Sequence, residues 1–426
     1  MKRKVLSLLL ALTCTVSLAA CGTKINNKVA DPAPVAKEDT KAEIKPEEGA
    51  SLIVWTAAGV ETEFLTVVGD EFKKKYPGVE ITYEEVGAVD AKGKMATDGP
   101  AGVGADVFDA PHDHTGELVA SGLILENSLF GDRVKNDYVK AASDAVSYEG
   151  KVYGYPTAIE TYGLFYNTDV FPEAPKSYEE IIAKAKTFND VKANKFAFMW
   201  DVGNAYFSHS FIAGGGGYIF KDGTDKTDVG IDSAGAIEGA KSLMALKEIL
   251  PINAADSSTQ IIEGLFDEGK VGAIIDGPWA VDGRIKSGVN FAIAPLPKLT
   301  NGDQQSSFSG IKTLFVSSYS KYPIAAQMFA SLATSDEMLL KRYEMTKQIP
   351  PVTKLMESDT IKSDPLVAPF LVQAEYAVPM PSIPQMGLVW DPYGAAFSSM
   401  WNDGVTPEVA LKSAAKTVRD AIAAQK

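Results

Sequence analysis

The chain has 426 residues, of which 46% are hydrophobic, and a formal net charge of −14 from 41 basic and 55 acidic side chains. This length suggests two or more domains, and the hydrophobic content predicts a globular body. The acidic balance disfavours nucleic-acid binding, which depends on neutralising phosphates. With two cysteines, Cys14 and Cys21, the sequence argues against a disulfide scaffold and against a cysteine-ligated metal site.

The first twenty residues have the pattern of an export signal. Three basic residues precede an apolar run from Val5 to Leu18, which is too short to span a membrane as a helix. Small residues and then Cys21 follow, and the whole pattern resembles a bacterial lipoprotein signal. We therefore predict a signal peptide over residues 1–20 and a lipid anchor on Cys21. The alternative is an ordinary secretory signal with an incidental cysteine.

Residues 21–50 form the next segment, which we predict to be a lipidated, disordered tether. Between Gly22 and Ala50 there is no aromatic residue, while three prolines and mixed charges occur. A flexible coil of this length would reach roughly 30 Å on average. Cleavage before Cys21 removes the three basic signal residues and changes the net charge to −17, from 38 basic and 55 acidic side chains.

Beyond the tether, strand and helix patterns alternate. Residues 52–55 predict a buried strand, and the following helix carries Phe64, Val68 and Phe72 on one face. Further strands are predicted at 79–83 and 106–108. This order predicts a parallel sheet with crossover helices.

The alternation resumes in the middle of the chain and indicates a second α/β lobe. A capping box of Ser177 and Glu180 opens a predicted helix that ends at Phe188. The C-terminal third is rich in helical patterns. The other elements predicted here are a strand at 163–166, helices at 232–250 and 257–266, and a strand at 271–275.

Motifs of enzymes are missing from the sequence. Its three histidines, His112, His114 and His209, stand beside no nucleophile motif. The sequence has neither a phosphate loop nor a Gly-x-Gly-x-x-Gly fingerprint after a strand, and the glycines at 214–217 predict a turn. We therefore expect no catalysis and no cofactor.

The segment His112-Asp113-His114 has the residue types of a metal site. In a strand, however, the two histidines share one face and Asp113 opposes them, while no third ligand is nearby. We predict no metal here. Because ligands of open α/β sheets bind at the carboxyl ends of strands, Asp113 is expected to point into a cleft.

Three tryptophans, Trp55, Trp279 and Trp390, lie at strand ends or in irregular segments. Each alone is more often a core residue, but loops on a rigid scaffold are where binding sites occur. Indole faces pack against the C–H faces of pyranose rings, and carboxylates accept hydroxyl hydrogen bonds. Together with acidic residues, these aromatics favour a sugar site.

Four segments together resemble the maltose/maltodextrin-binding proteins of ABC importers, in matching order and spacing over residues 51–426. The resemblance implies an α/β, two-lobed periplasmic-binding-protein-like fold with hinge crossings and an interlobe cleft. It implies an N-terminal lobe of 51–158 plus 312–362 and a C-terminal lobe of 163–307 plus 366–426. The segments are 104–126 (GADVFDAPHDHTGELVASGLILE), 155–182 (YPTAIETYGLFYNTDVFPEAPKSYEEII), 272–280 (GAIIDGPWA) and 381–390 (PSIPQMGLVW).

The resemblance also assigns site residues. Asp113 and Glu160 match acidic positions that bind sugar hydroxyls, whereas Tyr206, Trp279 and Trp390 match aromatic positions that stack on the rings. The remaining candidate contact is a tryptophan of the first strand, nearer the hinge, Trp55.

Departures from the family pattern put the number of sugar subsites in doubt. Gly59-Val60 stands where the best-known maltose binder has an Asp-Lys pair, and Glu61 is a partial replacement. Ala110 replaces a tryptophan and Thr259 a tyrosine, so two stacking surfaces are missing.

We expect a monomeric, lipid-anchored protein on the extracellular face of a Gram-positive-type membrane, which binds maltodextrin-type oligosaccharides for an ABC permease. An untethered binder would be lost from a cell without an outer membrane. One alternative is a glycoside hydrolase that uses Asp113 and Glu160 as its carboxylate pair. Another is the same fold with a metal ion, a polyamine or a different sugar as its cargo.

Overall fold

A computed structural model describes residues 44–425. The predicted signal peptide, the anchor at Cys21 and most of the tether lie outside these residues. The last predicted tether residues are described, and Glu47 accepts hydrogen bonds from the backbone N–H groups of Ile324 and Ala325, at 2.8 Å each. Ala50 is buried. The ordered body therefore begins before the predicted boundary at Ser51.

The strands form two main sheets and two short hairpins. In chain order they are β1 (Ser51–Thr56), β2 (Glu80–Glu85), β3 (Val107–Pro111), β4 (Ser147–Tyr148), β5 (Lys151–Val152), β6 (Tyr155–Glu160), β7 (Gly163–Asn167), β8 (Phe220–Lys221), β9 (Asp225–Val229), β10 (Ala273–Asp276), β11 (Phe291–Ala294), β12 (Phe308–Val316) and β13 (Val378–Pro379).

Helices connect and cover these strands. They are α1 (Val60–Lys75), α2 (Ala88–Ala101), α3 (Thr115–Ala120), α4 (Gly131–Asp137), α5 (Lys140–Ala145), α6 (Tyr178–Phe188), α7 (Ala205–Gly214), α8 (Ala234–Ala245), α9 (Thr259–Asp267), α10 (Val281–Ser287), α11 (Pro323–Ala333), α12 (Asp336–Thr346), α13 (Thr353–Met356), α14 (Asp359–Lys362), α15 (Ala368–Ala374), α16 (Trp390–Asp403) and α17 (Pro407–Ala424). Short 3-10 helices span His112–His114, Val191–Ala193, Leu246–Glu248, Ala254–Ser257, Pro278–Ala280 and Pro384–Leu388. Within residues 44–425, each helix is too short or too polar to cross a membrane.

The first sheet has the order β13-β12-β3-β1-β2, with β6 also paired to β12. Strand β1 is parallel to β2 and β3, as the β-α-β order predicts. The sequence patterns did not predict strand β12, which runs antiparallel to both β3 and β6. Its direction differs because β12 arrives from the second sheet and not through a crossover helix of the first.

The second sheet is antiparallel throughout, with β7 between β10 and β11. The predicted strands at 163–166 and 271–275 are present. The predicted helix at 232–250 is α8 continued by a 3-10 turn, and the one at 257–266 is α9. Ser177 caps α6 as predicted, but the Glu180 carboxylate accepts from the Lys176 N–H and not from the Ser177 N–H.

The glycine run at 214–217 ends α7 in a turn, as predicted. Gly216 has a φ of +90°, which disfavours any residue with a side chain. A Cβ atom on Gly215 would lie 2.4 Å from the backbone nitrogen of Gly239, so the turn also lets α7 and α8 approach closely.

Each main sheet has its own hydrophobic core, which makes the body two-lobed. Phe64, Val68 and Phe72 of α1 are buried in one first-lobe cluster, as their spacing predicts. A larger cluster surrounds the second sheet and includes Trp200 and Trp401. Two residues separate β6 of the first sheet from β7 of the second, so the chain crosses between the lobes directly after Glu160.

Candidate functional site

His112, in the 3-10 helix after β3, is a structural tie and not a free ligand. The Ile311 N–H donates to Nδ1 at 3.0 Å, so Nε2 carries the proton and donates to the Met380 carbonyl at 2.9 Å. Burial lowers the pKa of His112, which keeps the ring neutral. Both ring nitrogens are therefore used to join the 3-10 helix to β12 and to the segment after β13.

Asp113 stands at the boundary between the lobes, in the 3-10 helix that follows β3. The Trp390 indole N–H, on the first residue of α16, donates to Asp113 Oδ2 at 3.1 Å. Asp113 is 5% exposed, and its Oδ1 has no hydrogen-bond partner in the part of the chain that the structure describes. One oxygen thus joins the two lobes, while the other is a buried acceptor without a partner among the described residues.

Glu160 ends β6, opposite Gly310 of β12, at the crossing between the lobes. Burial raises the pKa of Glu160 to about 7, although the nearby ammonium of Lys312 acts in the opposite direction. Near neutral pH the group therefore changes readily between its acid form and its carboxylate. Hydroxyl donors from a ligand would stabilise the carboxylate.

Aromatic rings from the second lobe face this boundary. Tyr206 lies in the first turn of α7, where the Asn204 side chain accepts its backbone N–H, and Trp279 lies in the 3-10 helix after β10. Their ring centroids are 6.3 Å apart. Tyr206 also stacks on Phe308 at 5.8 Å, and Phe308 meets Trp390 edge-on at 6.1 Å. Trp279, Tyr206, Phe308 and Trp390 thus form one aromatic series.

The sequence reasoning missed Phe308 as a member of the aromatic series. It is buried, stacks on His209 at 4.3 Å and supports Tyr206 and Trp390 from behind. A lone aromatic residue within the polar segment 303–310 (DQQSSFSG) was the available signal.

Trp55 lies apart from the other five candidates. Its side chain is 0% exposed, its indole N–H donates to Glu84 at 2.7 Å, and it packs in a core cluster with Phe108. A ring without an exposed face offers no stacking surface to a sugar. The geometry therefore leaves Trp55 out of the candidate site, because β1 is a central strand covered on both faces.

Glu61, the partial replacement for the missing Asp-Lys pair, is bonded within the first lobe. Its carboxylate lies 2.7 Å from Lys312 Nζ and 2.7 Å from an Arg342 nitrogen, and it accepts from Gln348 at 2.8 Å. Burial opposes its ionisation, but Arg342 and Lys312 hold the pKa of Glu61 well below its usual range. Glu61 therefore has protein partners where a sugar contact was expected.

Ala110 and Thr259, which replace two aromatic residues of the family pattern, offer no stacking surface. Ala110 is fully buried in β3. Thr259 begins α9, and both its hydroxyl and its backbone N–H donate to Asp201, at 2.9 and 3.1 Å. Neither residue presents a ring to the cleft.

Carboxylates on the first lobe and ring faces on the second thus meet at one interlobe boundary, which is the arrangement expected of a two-lobed solute-binding protein. The family model described as bacterial extracellular solute-binding protein matches residues 68–369. The chain belongs to this family.

Relatives of known name match nearly the whole chain. A galactooligosaccharide-binding protein of Bacillus subtilis (strain 168) is 33% identical over an alignment of 434 positions, which covers 100% of this chain and 99% of the relative. A maltooligosaccharide ABC transporter solute-binding lipoprotein of Streptococcus pneumoniae serotype 4 is 30% identical and covers 95% and 93%. The crystal structure of a cyclo/maltodextrin-binding protein complexed with maltotetraose is 36% identical, with a TM-score of 0.74 and coverage of 90% and 99%. The predicted two-lobed fold and the resemblance to maltodextrin-binding proteins are confirmed.

Proposed function

We propose that this protein captures a neutral oligosaccharide outside the cell and delivers it to the membrane subunits of an ABC permease. The observation that carries the proposal is the pairing of Asp113 and Glu160 on the first lobe with three rings of the aromatic series on the second. A polyol needs both acceptors for its hydroxyls and flat faces for its C–H groups.

A maltodextrin is our first candidate ligand. The pneumococcal relative and the structure with bound maltotetraose are both named for α-glucan oligosaccharides. A galactooligosaccharide is the second candidate, because the relative that is 33% identical over the whole chain is named for it.

The proposed mechanism is a shift between open and closed forms. Asp113 Oδ1 and Glu160 accept sugar hydroxyls, and Tyr206, Trp279 and Trp390 stack on the rings. A ligand that contacts both lobes only in the closed form favours closure by its difference in affinity. We propose that the two lobes move about three chain crossings between them. The lobes are residues 51–158 plus 312–362 and residues 163–307 plus 366–426.

We further propose that a lipid on Cys21 holds a monomeric protein at the extracellular face of the membrane. The pneumococcal relative is named a lipoprotein, which supports this location. Because one acyl chain binds membranes only marginally, we expect at least two chains. The tether then keeps the cleft near the permease, and no cofactor or metal is needed.

A ligand panel tests the proposal. Thermal-shift measurements with maltotriose, β-1,4-galactotriose, cellotriose and spermidine should show an increase in melting temperature with maltotriose or galactotriose, because a ligand that binds only the native state stabilises it. Titration calorimetry then ranks the sugars. Stabilisation by spermidine alone would refute the sugar assignment. Shorter products after incubation with maltohexaose would favour the hydrolase alternative.

A further inference from the structure

A cluster of five charged and titratable side chains lies in the first lobe, next to the candidate site. Lys312 Nζ is 2.7 Å from Glu61 Oε1 and 3.3 Å from Asp109 Oδ2, and all three side chains are less than 10% exposed. Arg342 binds the other oxygen of Glu61 at 2.7 Å. Glu160 completes this charged cluster, in which three carboxyl groups face two cations.

The sheet register directs Lys312 and Glu160 to the same face. Gly310 is opposite Glu160 and Lys312 is opposite Ala158 in the antiparallel pair of β12 and β6. Alternate residues of a strand share a face, so the two side chains are diagonal neighbours. Within the charged cluster, Lys312 is the cation that acts most strongly on Glu160.

The other charged and titratable groups near Glu160 mostly oppose its ionisation. Asp109 on β3 and Glu61 on α1 are like charges, Arg342 on α12 is a weaker opposite charge, and Tyr206 on α7 interacts with Glu160 from the second lobe. Without the Lys312 charge, burial and two neighbouring carboxyl groups would all favour the neutral acid.

We propose that Lys312 is a positioning residue of the candidate sugar site, whose ammonium, held by Glu61 and Asp109, favours the carboxylate form of Glu160 that accepts sugar hydroxyls. This inference rests on the proposed function. Although burial disfavours a charged lysine, Asp109 and Glu61 raise the pKa of Lys312 above its ordinary value, so the ammonium persists at physiological pH. Lys312 of β12 thus places a cation beside Glu61, next in sequence to the missing Asp-Lys pair.

The test measures the dissociation constant from pH 5.5 to 9 with maltotriose or β-1,4-galactotriose, whichever binds the wild-type protein more tightly. We expect the midpoint of the pH profile to rise by about one unit or more in Lys312→Met, because a neighbouring opposite charge on the same face lowers a carboxyl pKa by about that amount. Binding should be about fivefold weaker at pH 7 and nearly recover at pH 9. Lys312→Arg should keep the wild-type midpoint, and Glu160→Gln should flatten the profile.

A second variant separates this role from a structural one. Glu61→Gln removes a like charge from the same cluster, so the midpoint should fall, whereas Lys312→Met raises it. Damage to the fold would shift the midpoint in the same direction in both variants. If Lys312→Met does not fold, the midpoint of Glu61→Gln still tests whether the charged cluster sets the ionisation of Glu160. Lys341→Met on exposed α12 surface is the control for loss of a positive charge, and its midpoint should not move.

The outcomes distinguish the inference from the function on which it rests. An unshifted midpoint in folded Lys312→Met, or shifts of the same sign in Lys312→Met and Glu61→Gln, would overturn the role of Lys312 alone. If the wild-type protein binds neither sugar, the proposed function and this inference both fall.

Discussion

Replacing Trp390 tests the candidate site most directly, since this residue contributes both a ring face and a hydrogen bond between the lobes. Its indole N–H donates to Asp113 at 3.1 Å, and its ring meets Phe308 edge-on. Trp390→Ala removes both interactions, whereas Trp390→Phe retains a ring and removes only the N–H donor. The two variants therefore separate stacking from hydrogen bonding.

The expected loss follows from the surface that a pyranose would cover. One ring face hides about 50 Å² of apolar area, which at about 25 cal/mol/Å² gives about 1.3 kcal/mol. The contact geometry of an aromatic face adds about 0.5–1 kcal/mol. The loss of stacking alone should thus weaken sugar binding in Trp390→Ala by about 2 kcal/mol, or roughly 30-fold in Kd. Trp390→Phe should lose about tenfold or more, because a hydrogen bond to a charged group contributes about 1.5–3 kcal/mol net.

Titration calorimetry provides the measurement, and Trp401 on the same helix provides the matched control. Trp401 is buried, donates to the Ile252 carbonyl at 2.9 Å and packs edge-on against Trp200. Trp401→Phe should lower the melting temperature and leave Kd unchanged. Affinity that is unchanged in Trp390→Ala, or reduced equally in Trp401→Phe, would refute the stacking assignment.

Three further predictions concern protons, the N-terminal contact and the anchor. Because burial raises the pKa of Glu160 to about 7 and hydroxyl donors favour the carboxylate, sugar affinity should increase as pH rises through about 7. Proton release on binding, measured by calorimetry in buffers of different ionisation heat, checks this, and uptake would contradict it. Glu47→Ala removes the carboxylate that binds the N–H groups at the start of α11, so it should cost about 1–2 kcal/mol of unfolding free energy at unchanged sugar affinity. When the protein is partitioned between a detergent phase and an aqueous phase, Cys21→Ser should move it to the aqueous phase. Unchanged partitioning would exclude a lipid on Cys21.

The elements that periodicity predicts well are those with a strong one-sided pattern. The α1 residues Phe64, Val68 and Phe72 are all buried, and β1 and β7 lie where apolar runs predict strands. Strand β12 was not predicted, and neither was its direction. Apolar spacing sets which residues are buried and not which way a strand enters a sheet, so nothing local indicated that β12 is antiparallel to β3.

The same limit applies to the tryptophans. Trp55 and Trp390 are the same residue type, but the first is within a central strand and the second begins a helix at the lobe boundary. Burial on both faces depends on which elements cover the strand, and those elements are far away in sequence. The resemblance to a family identified Asp113, Glu160 and Tyr206, whereas the support from Phe308 required the packing of β12 against α7.

The charged cluster shows why a missing motif does not mean a missing charge. In the sequence, the loop after β1 has no lysine, and no basic residue lies near Glu61. In the fold, Lys312 reaches Glu61 from 251 positions further along the chain, and Arg342 joins from α12. A buried carboxylate without cations would become neutral, so the presence of Glu61 itself requires such partners. The need for a cation follows from the burial of Glu61, and the sequence indicated neither that burial nor the identity of the partner, because both depend on the packing of α1 against β12 and α12.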